Sequence, residues 1–248
     1  MKKDPEIPSS LIDVNPALRA GIAVRLLAQL YPLSAWEDSL AKKDGDSEDN
    51  QQDARVLHVG KRLVFCLHGT PYTSQPSEVV IRLDPGLAFG TGHHPTTRTC
   101  LQQLEHYLVP DNRVLDVGTG SGILSLAAAR LGAKSVMAID TDPESIRSAK
   151  SNVLLNQVND IVKVRSGSVP LSSRIHYAVV LANLSARLVT SLASELAGAT
   201  ALGGLMIASG FLYERNNAVA KELGKAKFKV IHSLEDSGWG TLVCKKVH

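Results

Sequence analysis

The sequence predicts a doubly wound α/β fold, in which helices cover both faces of a mostly parallel sheet. From residue 113 onward, short β-branched runs alternate with longer segments of helical periodicity, the pattern of repeated strand–helix units. One of these strands runs into three alternating glycines and then a helix, VLDVGTGSGILSLAAA. Such a turn is typical of the ligand-binding edge of an α/β sheet. The chain has 248 residues, 44% of them hydrophobic, enough for one such core and a smaller appended unit.

The region before this sheet is predicted to hold two small units. In residues 1–54, leucines and isoleucine at helical spacing predict a helix over 16–31, and the acidic stretch 42–54 predicts a mobile linker. Residues 55–97 contain two β-like runs on either side of a Gly-Lys pair and a third run at 78–83. We expect these three runs to form a small antiparallel unit, followed by a loop that covers a ligand site.

Residues 98–248 are predicted to form the main domain. Segments of helical periodicity separate the first five predicted strands, and the last two strands are close enough to form an antiparallel hairpin at the end of the sheet. The predicted strands are residues 113–117, 135–140, 161–167, 177–183, 202–210, 228–234 and 239–247.

Net charge, cysteine spacing and hydropathy limit the classes of protein to which this chain could belong. The formal net charge of +3 is small, and nucleic-acid binders usually carry a dense basic face, so direct nucleic-acid binding is not expected. The three cysteines are far apart with no C-x-x-C pair, which disfavours a disulfide framework or a structural zinc site. No window is long and apolar enough to span a bilayer, and the N-terminus lacks the apolar stretch of a signal peptide. A cytoplasmic protein is the expectation.

The glycine loop is the strongest chemical signal. Gly118 and Gly120 allow the backbone to turn tightly and approach a ligand, and the free N–H groups of the helix start favour polar ligand atoms. The spacing is G-x-G-x-G, which departs from the G-x-G-x-x-G fingerprint that binds a pyrophosphate. Asp116 at the loop entrance suits a cationic ligand better than a phosphate. An adenosine with a positively charged tail, S-adenosylmethionine, fits these residues best, although a tight turn without a ligand is the alternative.

Two further polar residues end predicted strands. Asp140 lies where a carboxylate accepts hydrogen bonds from ribose hydroxyls; its alternative role is to cap the next helix, for which Asp142 before a proline is the better candidate. Asn183 ends the fourth strand of the main domain, and its amide could orient a nucleophilic amine toward a methyl donor. Alternatively, Asn183 caps the following helix.

The stretch DPGLAFGTGHHPTT, residues 84–97, raises a separate question because it contains adjacent histidines. The pair could belong to a metal site, an acid/base pair or a loop that shapes a pocket. No third metal ligand lies at a suitable spacing, so no metal is expected. We interpret the stretch as a lid over the cofactor. Phe89 would cover its apolar part, Gly90 would form the turn, His94 would hold the loop and Thr97 would donate or accept a hydrogen bond.

Taken together, DPGLAFGTGHHPTT, VLDVGTGSGIL, AIDTDPESI and VVLANL resemble, in order and spacing, the bacterial methyltransferases of large-subunit ribosomal protein L-eleven, the PrmA family. The resemblance covers residues 77–247. It implies a class I, Rossmann-like methyltransferase domain, with cofactor contacts at Thr97, Gly118, Asp140 and Asn183. Family members usually carry threonine where this chain has His93, and they begin with a compact α/β domain, whereas the region before the small β unit is shorter here.

The resemblance implies transfer of methyl groups from S-adenosylmethionine to protein amino groups, either lysine side chains or an N-terminal amine. The first hypothesis is therefore a protein-lysine N-methyltransferase that acts on the ribosomal protein, with Asn183 as the catalytic residue. A second is the same enzyme acting on another protein, a small amine or RNA. A third, of a different class, is a non-catalytic cofactor-binding module associated with the ribosome.

Overall fold

The computed structural model describes residues 55–84, 92–170 and 175–247. The helix predicted at 16–31, the linker at 42–54, and the predicted lid residues Phe89 and Gly90 lie outside the described residues. Within the described ranges, no helix is both long and apolar enough to cross a membrane.

The described elements alternate between strands and helices, as the sequence predicts. The strands are β1 (Val56–Val59), β2 (Leu63–Leu67), β3 (Val79–Leu83), β4 (Arg113–Val117), β5 (Ser135–Asp140), β6 (Val162–Ser166), β7 (Tyr177–Asn183), β8 (Thr200–Leu212), β9 (Phe228–Asp236) and β10 (Trp239–Lys246). The helices are α1 (Pro95–Tyr107), α2 (Ile123–Arg130), α3 (Pro143–Leu155), α4 (Ala186–Ser191), α5 (Ala193–Ala199) and α6 (Asn216–Lys225), with a 3₁₀ turn at Tyr213–Arg215.

The main sheet has seven strands in the order β6-β5-β4-β7-β8-β10-β9. The pairs among β6, β5, β4, β7 and β8 are parallel, and β10 pairs antiparallel with both β8 and β9. The doubly wound sheet with a terminal antiparallel hairpin is thus confirmed. Two clusters of buried side chains pack between this sheet and the helices on its faces, as expected for a sheet covered on both sides.

Helix α1 was not expected from the sequence, which assigns the stretch through Thr97 to a loop. The helix begins at Pro95, with His94 as the N-cap whose side chain accepts the Thr96 N–H. Proline is well suited to the first turn because its missing N–H would have no partner there. The boundary predicted between residues 97 and 98 therefore falls within the first turn of a helix.

The small β unit has three strands in the order β1-β2-β3. The expectation of an antiparallel unit is correct for β1 and β2 but wrong for β3, which pairs parallel with β2. The 11 residues between Leu67 and Val79 carry the chain back to the start of β2, so the third strand runs in the same direction as the second. A short two-residue turn would have forced the antiparallel arrangement.

The three-stranded sheet packs on the main domain. Apolar side chains from all three strands belong to the same buried cluster as helices α1 and α2. The carboxylate of Glu105, on α1, also accepts the backbone N–H groups of Lys61 and Arg62 at 2.7 and 2.9 Å, which fixes the β1–β2 turn against that helix. The two units therefore share one hydrophobic core.

Candidate active site

The topology creates a crevice at the carboxyl ends of β4, β5 and β7. From β4 the chain proceeds outward to β5 and β6, then returns to the other side of β4 as β7. Ligands of open α/β sheets bind at such a switch point, outside the carboxyl ends of the strands. The glycine loop, Asp140 and Asn183 follow or end these three strands, so the fold brings the predicted site residues to one edge.

The glycine loop adopts a backbone conformation that requires glycine. Gly118 and Gly120 have φ of +75° and +56°. A Cβ at position 118 would stand 2.5 Å from Cδ2 of Leu184, the residue that follows Asn183. The positive φ strains any L-residue at this position, and an added Cβ would also force the side chain of Leu184 to shift.

The N–H groups in the first half of the glycine loop, before the helix start, are bound within the protein. The amides of Gly118 and Thr119 donate to the carbonyl oxygen of Ile139 at 2.9 and 3.1 Å, and the Gly120 amide donates to Oδ2 of Asp140 at 2.9 Å. A loop whose amides are occupied in this way is poorly suited to hold a phosphate group. This arrangement agrees with the unusual spacing of its glycines.

Asp140 lies at the end of β5 and is 5% exposed. Its Oδ2 accepts the Gly120 N–H and its Oδ1 accepts the Asp142 N–H, each at 2.9 Å. Burial raises the pKa of this carboxyl, and the two amide bonds oppose that shift. Each carboxylate oxygen has a second lone pair available to a hydroxyl donor. Asp142, as the sequence suggests, caps helix α3 by accepting the amides of Glu144 and Ser145.

Asn183 and Thr97 meet across the crevice. The Asn183 amide nitrogen donates to Oγ1 of Thr97 at 3.2 Å, which connects the end of β7 to the first turn of α1. Oδ1 of Asn183 is buried and has no hydrogen-bond partner among the described residues. Ser185, and not Asn183, caps helix α4. Within the described ranges, an oriented acceptor at the carboxyl edge of the sheet is therefore left without a donor.

The tip of the β9–β10 hairpin fixes the start of α1. Arg98 bonds Oδ2 of Asp236 through Nη2 at 2.6 Å and Nε at 3.2 Å, and this guanidinium lowers the pKa of Asp236. The ring of His94 lies edge-on to Trp239 at a centroid distance of 4.5 Å. Nδ1 of His94 lies 2.7 Å from the Thr96 hydroxyl, a local hydrogen bond across the start of the helix. These contacts hold the turn that carries Thr97.

Asp116 lies beneath the glycine loop and is 1% exposed. Its Oδ2 accepts hydrogen bonds from the hydroxyls of Thr119 and Ser125, both at 2.7 Å, whereas Oδ1 is buried without a partner among the described residues. Burial raises the pKa of Asp116 to about 6, and the two hydroxyl bonds limit the rise. The side chain of Asp116 thus braces the loop from below.

Comparison with known proteins identifies the family. The family model described as "Ribosomal protein L11 methyltransferase (PrmA)" matches residues 39–247. The chain belongs to the ribosomal protein L11 methyltransferase family. It is 34% identical to a ribosomal protein L11 methyltransferase of Heliobacterium modesticaldum, over 98% of this chain and 81% of that protein. It is 41% identical to the protein of the same name from Exiguobacterium sibiricum, over 79% of this chain and 62% of that protein.

A solved structure of an L11 methylase supports the same assignment. The crystal structure of the ribosomal protein L11 methylase from Lactobacillus delbrueckii subsp. bulgaricus superposes with a TM-score of 0.73 at 32% identity, covering 78% of this chain and all of that one. This member of the L11 methyltransferase family thus has the class I methyltransferase fold. Its family relationship shows that it is a methyltransferase enzyme.

In this L11 methyltransferase family member, His94 and Asp116 make opposite contributions to stability between pH 4 and 6. Burial, aided by Arg98, lowers the pKa of His94 to about 4, so the unfolded state binds the proton more tightly and stability rises with pH. The raised pKa of Asp116 means that the folded state binds the proton more tightly, so stability falls as pH rises. The two slopes oppose each other in the native protein.

Removing one of these two titrating groups should reveal the pH dependence of stability that the other contributes. In Asp116→Asn, we expect the free energy of unfolding to rise between pH 4 and 6.5, because only the slope from His94 remains, and the difference from the native protein should shift in favour of the variant by up to about 3 kcal/mol between pH 4 and 7. In His94→Gln, the free energy of unfolding should fall over the same interval. Urea denaturation at pH 4.5 and pH 7 measures both. A pH-independent difference between Asp116→Asn and the native protein would contradict the raised pKa.

Sequence reasoning missed one group of residues beside this site. Asn152 and Asn156, on and just after helix α3, form hydrogen bonds to the outer edge of β3, and Asn152 also bonds the glycine loop. The available signal was two asparagines four positions apart in an otherwise amphipathic helix. Such a pair lies on one face, and buried amides require partners.

Proposed function

We propose that this protein is an S-adenosylmethionine-dependent methyltransferase that methylates amino groups of ribosomal protein L11, on lysine side chains or the N-terminal amine. The observation that carries the proposal is the buried Oδ1 of Asn183 at the carboxyl end of β7, which finds no hydrogen-bond partner in the part of the chain that the structure describes. A buried acceptor without a donor is costly, and an incoming amine supplies the N–H that it lacks. The family relationship supplies the substrate.

The residues around the crevice fit S-adenosylmethionine. We propose that Asp140 accepts hydrogen bonds from the ribose hydroxyls and that the backbone of Gly118 and Gly120 approaches the cofactor closely. Asp116, beneath the loop, would contribute a negative charge that favours a cationic ligand. The occupied loop amides agree with a cofactor that carries no phosphate.

We further propose that Thr97 contributes to the cofactor site from the first turn of α1, where it already contacts Asn183. The assignments of Phe89 and Gly90 to the cofactor site remain predictions, because both residues lie outside the described ranges.

In the proposed mechanism, the bound cofactor supplies an electrophilic methyl group on a sulfonium. Asn183 accepts a hydrogen bond from the attacking amine and fixes the direction of its lone pair, while Thr97 holds the amide of Asn183 in place. A lysine has an ordinary pKa of about 10.4 and must lose its proton before it can attack. Exclusion of water from the site would disfavour the charged ammonium. The lysine would then release its proton to solvent as it enters, and no dedicated base would be needed.

The proposed substrate also implies where the protein works. Ribosomal proteins are made and assembled in the cytoplasm, and we propose that the enzyme meets L11 there. The cysteines Cys66, Cys100 and Cys244 are all free and buried, which is compatible with a reducing compartment. The chain covers 62% of the length of the Exiguobacterium relative. The activity named for that whole protein is therefore a proposal for this chain.

Intact-mass measurement of purified L11 tests the proposal. After incubation with the protein and S-adenosylmethionine, we expect L11 to gain mass in whole multiples of CH2, and the gain should vanish when the cofactor is omitted. Labelled cofactor added to a lysate that lacks this methylase provides the specificity control. Label confined to L11 supports the proposal, whereas label in another protein or label removed by nuclease would reject L11 as the substrate.

A further inference from the structure

At the outer edge of β3, two asparagine side chains bind backbone groups that a neighbouring strand would otherwise bind. Oδ1 of Asn152 accepts the Asp84 N–H at 2.8 Å, and its Nδ2 donates to the Asp84 carbonyl at 3.3 Å. Asn156 does the same with Arg82, at 2.9 and 2.7 Å. The spacing permits this, because four helical residues rise about 6 Å and two strand residues span about 6.6 Å. Each amide thus pairs with one residue of the strand.

The two amides differ in their third hydrogen bond. Nδ2 of Asn156 donates to the carbonyl of Asn152 at 2.8 Å, within the same helix. Nδ2 of Asn152 donates instead to the carbonyl of Ser121 at 3.0 Å, in the glycine loop. Asn152 is fully buried and Asn156 is 3% exposed. Of these two neighbours, therefore, only Asn152 connects β3 to the loop.

Helix α3 supports the second half of the glycine loop. A Cβ at Gly122, where φ is +86°, would stand 3.3 Å from both Cα and Cβ of Ala149. Ala149 lies three positions before Asn152, so the same helix face contacts Gly122 and bonds Ser121. The first half of the loop is held from beneath, by Ile139 and Asp140. The loop is consequently held between the end of β5 and helix α3.

We propose that Asn152 is a positioning residue for the cofactor loop. Its amide fixes the Ser121 carbonyl, and with it the peptide planes that follow Gly120, relative to the end of β3. This inference rests on the proposed function, since it assigns Asn152 an effect on cofactor affinity. Asn152 acts through Ser121 and needs no contact with the cofactor itself.

Asn156→Ala is the matched control for Asn152→Ala. Each substitution removes one accepted and two donated hydrogen bonds from a buried amide on the same helix, so both should lower stability to a similar degree. For Asn152→Ala, we expect calorimetry to give a Kd for S-adenosylmethionine about tenfold higher. The KM for the cofactor should rise similarly, with a smaller change in kcat. For Asn156→Ala, the Kd and the KM for S-adenosylmethionine should each stay within about twofold of the value for the unmodified protein. Equal shifts in the two variants, or no shift in Asn152→Ala, would overturn the inference.

Amide-resolved hydrogen exchange on the unmodified protein provides a second test if Asn152→Ala does not fold. S-adenosylmethionine should slow exchange of the Asp84 N–H more than that of the Arg82 N–H, because only the former bonds the residue that contacts the loop. Equal effects on the two amides would reject the role of Asn152. An unmodified protein that binds the cofactor without methylating L11 would remove the proposed substrate but leave this inference standing, whereas one that binds no cofactor would overturn both.

Discussion

In Asn183→Ala, we expect kcat for methylation of L11 to fall by about 100-fold or more while the Kd for S-adenosylmethionine changes little. The substitution removes the buried Oδ1 that is proposed to accept the N–H of the amine, so the amine loses its orientation, whereas the contacts proposed between the cofactor and Asp140 and the glycine loop are unchanged. Steady-state kinetics with purified L11 and calorimetry with the cofactor measure the two quantities separately.

Thr97→Val is a graded comparison for this prediction. Valine keeps the volume of this buried side chain but removes the hydroxyl that holds the Asn183 amide at 3.2 Å. Asn183 itself remains, so the loss in kcat should be smaller, about tenfold. An unchanged kcat in Asn183→Ala would reject its catalytic role. Turnover by the unmodified protein that disappears in Asn183→Ala, with cofactor binding retained, would exclude a non-catalytic binding module.

Gly118→Ala should weaken cofactor binding measurably and lower the free energy of unfolding by about 2 kcal/mol. The new methyl group would meet Leu184 at 2.5 Å, and the backbone at φ of +75° is unfavourable for alanine. To relieve the contact, Leu184 must move, and its displacement disturbs the adjacent Asn183. Calorimetry with S-adenosylmethionine and urea denaturation report the two effects.

Gly69→Ala separates the steric effect from the backbone effect. Gly69 has a similar φ of +82°, but a Cβ there meets nothing within 4 Å, and the residue lies in the turn after β2. We expect this variant to lose only about 1 kcal/mol of stability and to bind the cofactor normally. If Gly118→Ala behaved like Gly69→Ala in both measurements, the close approach between the glycine loop and the end of β7 would not matter for binding.

The sequence predicted the main sheet well because its strands are short, apolar and separated by segments of helical period. The same logic placed Asp140 and Asn183 at strand ends, where the parallel topology brings them together. The sequence could not show that the loop amides would be consumed by Ile139 and Asp140. That outcome depends on how the loop folds back over the neighbouring strand, a contact that no local pattern encodes.

The errors have two sources. At Pro95–Thr97 a local signal was missed, because the stretch was assigned to a loop although His94 caps helix α1 and Pro95 begins it. The other errors depend on tertiary contacts. The third run of the small unit read as another hairpin strand, but it returns beside β2 in the parallel direction. Asn152 and Asn156 carried no apparent role, because their partners lie 68 and 74 positions away in the chain. Such distant pairings become visible only when helix and strand are placed side by side.

The asparagine pair has a further consequence for how molecules of this protein meet one another. An edge strand normally presents unpaired N–H and C=O groups that recruit strands from other chains, and this is a common start of aggregation. On β3 and the residue after it, those groups of Arg82 and Asp84 are already bound by side-chain amides from within the molecule. Two polar residues thus make the end of this edge unavailable for pairing with a strand from another molecule.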